Sequence, residues 1–83
     1  MSAKNIEILI IYDEENIESL YFISIIESNM DFHIKKIHFE NAEYINFICL
    51  PEFHIFKNDK LIGKIYGYDN FLDFKRFFDG ITV

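Results

Sequence analysis

Reactive side chains are sparse in these 83 residues. The one cysteine, Cys49, stands two positions before the one proline, Pro51. A lone thiol can attack a disulfide or enter a mixed one, but it acts as a thiolate, and nothing cationic in the local sequence would activate it. The other reading of Cys49 is a small buried hydrophobe, since free cysteine is among the most buried residue types. His33, His38 and His54 raise metal binding, yet their spacing fits no zinc pattern and a single cysteine completes none. His33 and His38 lie five apart on a segment that reads as a strand, so their side chains point to opposite faces. The histidines read as structural, and neither a metal nor a cofactor is expected. Asp13, Glu14, Glu15 and Glu18 could be paired as catalytic acids. Acids at a helix start are common for a simpler reason: they complement the positive end of the helix dipole.

The elements that would position these groups follow from periodicity. Ile6-Glu7-Ile8-Leu9-Ile10-Ile11-Tyr12 is nearly continuous apolar, which suits a central strand covered on both faces. Residues 13–16 can cap a helix over 15–28 that is apolar around most of its circumference. Asn29-Met30-Asp31 breaks it. Residues 32–39 alternate as an edge strand with one wet side. A short helix over 40–48 follows, then a strand over 52–57, a turn at Asn58-Asp59 and a strand over 61–66. Asp69 or Asn70 caps a last helix, with Phe71, Phe74, Phe77 and Phe78 at helical spacing and expected in the core. The order is β-α-β-α-β-β-α. It predicts an α/β fold with a four-stranded mixed sheet and helices on both faces: the first two strands parallel, the last two a hairpin.

Composition bounds the rest. Residues 1–83 read as one domain, without linker, repeat or low-complexity tract, and ten Phe and five Tyr supply the core of a small chain. The single cysteine excludes an internal disulfide framework and suits a reducing compartment. The apolar run 6–12 is too short to span a membrane, so a cytoplasmic protein with no membrane partner is expected. A formal net charge of −6, with basic residues scattered singly or in pairs, argues against a nucleic-acid partner.

The second half carries a resemblance. A short helix, Leu50-Pro51, the strand Glu52-Phe53-His54-Ile55-Phe56-Lys57, the turn Asn58-Asp59-Lys60, a strand to Gly67 and a last amphipathic helix run in the order of the thioredoxin/glutaredoxin family. The chain resembles that family over residues 6–79. The likeness implies a thioredoxin-like fold and a cis Leu50–Pro51 bond beside the family's active site. The family's chemistry sits in a Cys-x-x-Cys after the first strand. Counted without gaps from Tyr12, those positions hold Ile17 and Leu20, and no cysteine precedes Cys49. The dithiol mechanism is therefore not expected.

What the resemblance leaves is a groove. Its counterparts here are Ile17 and Leu20, then Leu50 and Pro51 with Phe47 nearby, then Gly67 and Tyr68. Two thiols replaced by Ile and Leu make such a groove more apolar, and exposed apolar patches mark partner sites. The resemblance implies a redox-inactive module that binds a protein partner or a second copy of itself. The alternatives are a one-cysteine thiol oxidoreductase or glutathione-dependent enzyme using Cys49, and a purely structural component with Ile17 and Leu20 tucked into the core.

Overall fold

The computed structural model describes residues 5–41, 50–67 and 70–82. The elements run β1 (Ile6–Tyr12), α1 (Ile17–Asn29), β2 (His33–His38), a 3₁₀ turn (Phe39–Asn41), β3 (Glu52–Lys57), β4 (Lys60–Tyr66) and α2 (Phe71–Thr82). The helix expected over 40–48 falls outside the described residues from position 42 onward; positions 40 and 41 belong to the 3₁₀ turn.

The four strands form one mixed sheet in the order β2-β1-β3-β4. β1 pairs parallel with β2 and antiparallel with β3, and β3 pairs antiparallel with β4. β1 thus has a neighbour on each side, and with Ile6, Ile8 and Ile10 buried on one face and Ile11 on the other, burial of both faces accounts for its almost unbroken apolar sequence. β2, at an edge, carries Lys35 and Lys36 on exposed positions. The β3–β4 hairpin turns through Asn58 and Asp59, both in the left-handed region with φ of 56° and 67°. Asn and Asp tolerate that region better than other non-glycine residues, which is why the turn closes without glycine. Asn58 also donates its N–H to the Asn5 carbonyl at 3.0 Å, tying the hairpin to the start of β1.

The sequence predicts helices on both faces of the sheet; the two α-helices among the described residues pack on one and the same face. Ile6, Ile8 and Ile10 of β1 and Phe53 and Ile55 of β3 point to that face. α1 adds Phe22, Ile23 and Ile26, and α2 adds Phe74 and Phe78. Phe22, Phe53 and Phe74 meet edge to face, with ring centroids 4.8 to 6.0 Å apart. Each such fully buried side chain contributes roughly 1.5–3 kcal/mol, and edge-to-face pairs add to that. α2 also lies close over β4: a Cβ built on Gly63 would stand 2.8 Å from Ile81 Cγ2, so this strand position has room only for glycine unless Ile81 moves.

Candidate functional site at the carboxyl end of the parallel strands

Because β3 is reversed between β1 and β4, the strands β1, β2 and β4 all run the same way. Their last residues, Tyr12, His38 and Tyr66, therefore lie at one end of the sheet. α1 and α2 each follow one of these strands, so both helices begin at that end. β3 also starts there, entered through Leu50 and Pro51, whose peptide bond is cis. In open α/β sheets this is the end where ligands bind, because the loops that leave the strands meet there.

The local sequence builds each wall of this end. Asn16 caps α1, its side chain accepting the Ser19 N–H at 3.1 Å. Asn70 caps α2 in the same way, accepting the Asp73 N–H at 2.9 Å. Between them Gly67 ends β4 in the left-handed region, φ 69°, and donates its N–H to the Pro51 carbonyl at 2.8 Å. Only glycine takes that conformation without cost, so this contact between the β4 exit and the β3 entry depends on it. A shallow pocket of about 130 Å³ opens beside Gly67, walled by Phe22, Ile65, Tyr66, Asp73, Phe74 and Phe77.

Two of the pocket walls, Tyr66 and Phe77, are themselves exposed. Seven large apolar side chains are exposed among the described residues: Ile17, Leu20, Tyr21, Leu61, Tyr66, Leu72 and Phe77. All but Leu61 sit in the first two turns of a helix or at the end of β4. Ile17 is 78% exposed and Phe77 64%, well beyond what a residue at the edge of a core retains. Of the positions expected to form the groove, Gly67 and Pro51 are buried and bonded to each other, and Leu50 is half-buried. Ile17 and Leu20 stand exposed at the start of α1, at the same end. Phe47, Tyr68 and Cys49 lie outside the described residues. Phe77, expected in the core, is instead a wall of the pocket.

The helix start also refines where paired chemistry would sit. The side chains that meet across the first turn of a helix are those of the cap and the third helical residue. Here these are Asn16 and Ser19, whereas Ile17 and Leu20 turn outward. Ser19 is fully buried, and its hydroxyl has no hydrogen-bond partner among the described residues. Neither position carries a thiol.

The histidines are separated by the fold. The His33 Nε2 approaches Glu7 Oε2 at 3.9 Å, and the His38 ring meets Tyr12 edge-on at 5.8 Å. His54 is buried on the sheet face away from the helices, its Nε2 2.7 Å from the buried carboxylate of Glu52. Among the described residues no three His, Cys, Asp or Glu side chains group as metal ligands. The Glu52–His54 pair was missed in the sequence. Its signal was there: residues two apart on a strand share a face. Among the described residues, no helix is long and apolar enough to cross a membrane. The sequence matches no protein-family model and no curated protein.

Proposed function

We propose that this chain is a redox-inactive, thioredoxin-like domain that works by holding a protein partner at the carboxyl end of its parallel strands. The strand order, with β3 alone reversed, supports the kinship, as do a helix after β1, another after β4, and Pro51 and Gly67 bonded across the β3 entry. One observation carries the binding role. Of the seven exposed large apolar side chains among the described residues, Tyr66 and Phe77 wall the pocket and Ile17, Leu20, Tyr21 and Leu72 lie in the first two turns of the helices that begin at this end, whereas Leu61 lies at the hairpin end. Exposed apolar side chains beside a pocket are what an interaction surface presents.

Size argues for a polypeptide ligand. The pocket of about 130 Å³ admits one apolar side chain, whereas sites for drug-sized molecules run to ~300–1,000 Å³. The flanking apolar surface extends the contact along a chain segment. Thiol chemistry has no pair of groups to run it, since Asn16, Ile17, Ser19 and Leu20 occupy the helix start.

A photo-crosslinking residue placed at Leu20 or Phe77 should link to partner polypeptides in a cell extract, and one placed at Leu61 should not. Equal linking from Leu61 would end the reading. Disulfide substrates should not be turned over above a protein-free control. Turnover that vanishes in Cys49→Ser would replace the binding role with a one-cysteine oxidoreductase.

A further inference from the structure

Five carboxylates stand at the same end of the molecule as the pocket. Asp13, Glu14, Glu15 and Glu18 occupy the loop after β1 and the first turn of α1, and Asp73 lines the pocket from the first turn of α2. No lysine or arginine occurs in residues 13–20 or 70–74. Arg76, one turn further along α2, reaches Asp73 at 3.6 Å. Lys75, the adjacent residue on α2, pairs with Asp79 at 3.0 Å, and at the opposite end Lys57 and Lys60 flank the hairpin turn that holds Asp59. The two helix N-termini add positive potential, but each is worth only about half a charge. Against five carboxylates they offset about one, and Arg76 offsets another. The end stays clearly negative.

We infer that the occupant of this groove is a basic, apolar peptide segment, whose apolar side chain enters the pocket beside Gly67 while flanking lysines or arginines meet the acidic rim. This deepens the binding role proposed above and rests on it. The aromatic walls point the same way. Tyr66 and Phe77 present exposed rings next to the Asp73 carboxylate, and ring faces beside a carboxylate attract a cationic side chain whose aliphatic stem can lie on them. A second copy of the chain docking through the same end is disfavoured, because a two-fold contact would set one acidic rim against the other.

The test uses three fluorescent peptides of equal length, alternating valine with lysine, with serine or with glutamate, read by anisotropy against the intact protein. The lysine peptide should bind best, and Phe77→Ser should weaken it. The double variant Glu14→Lys/Glu15→Lys, changed only in an exposed loop, should weaken it by about tenfold, as should raising the salt. Thermal melting by circular dichroism should show both variants folded. If the serine peptide binds as well as the lysine peptide and Phe77→Ser weakens both, the basic preference is overturned while the groove stands. If the lysine peptide binds but Phe77→Ser has no effect, bare charge attracts it and the groove itself falls. If no peptide binds, both readings fall. Salt-sensitive self-association abolished by Lys57→Glu/Lys60→Glu would give the site to the hairpin of a second copy and overturn the inference.

Discussion

The two faces of the sheet solve burial differently. On the helix-bearing face, every buried side chain of β1 and β3 is Ile or Phe, and the helices bring more of the same. On the opposite face, Ile11 is buried beside a carboxylate and an imidazole, Glu52 and His54, within 2.7 Å of each other. The register sets Glu52 between Ile11 and Tyr66, and His54 between Leu9 and Lys64. A dry face gains from each methylene it hides. A face that hides an acid and an imidazole must first recover their desolvation through mutual contact, so such a pair is weak evidence for stability. The helix-bearing face should therefore supply most of the folding energy.

The largest effect is expected where the apolar face is densest. Phe53 touches the rings of both Phe22 and Phe74, and Phe53→Ala should lower the unfolding free energy by about 3–5 kcal/mol in urea titrations followed by circular dichroism. A loss under about 1 kcal/mol would mean that this face collapses around cavities and is not tightly packed.

The opposite face should respond through its pair. Glu52→Leu removes the carboxylate from His54 Nε2 and should cost about 1–3 kcal/mol, with His54→Leu costing a similar amount. The double variant should cost clearly less than the sum, because replacing both members leaves neither of the pair buried without the other. Strict additivity would dissolve the pair as a unit, and with it the contrast between the faces.

The smallest effect is expected at Phe77. Phe77→Ser should shift stability by no more than about 0.5 kcal/mol, the ordinary range for surface positions. A loss approaching that of Phe53→Ala would return Phe77 to the core and remove a wall from the proposed groove.

Much of this fold was legible because strand and helix periodicity report directly on the backbone. The bounds of β1 and β3 follow from their apolar runs, and the sequence places the helix caps within residues 13–16 and at Asp69 or Asn70; the structure shows Asn16 and Asn70 accepting the first free N–H groups. Even Phe77 was partly readable. At about 100° per residue, Phe71, Phe74 and Phe78 fall within about 60° of one another, and Phe77 lies about 60° beyond them. Composition likewise determined the missing second thiol and the net charge of −6. Tertiary structure alone decided which polar groups are buried, since periodicity gives a side chain's direction on its own element and not what arrives to cover it. Glu52 read as a strand's polar first residue; its neighbours across β1 and β4 made it a buried partner of His54. The gathering of Ile17, Leu20, Tyr66 and Phe77 at one end likewise needed the reversal of β3, which points β1 and β4 the same way. Sequence separates those residues by up to sixty positions; hydrogen-bond register between strands brings them to one end.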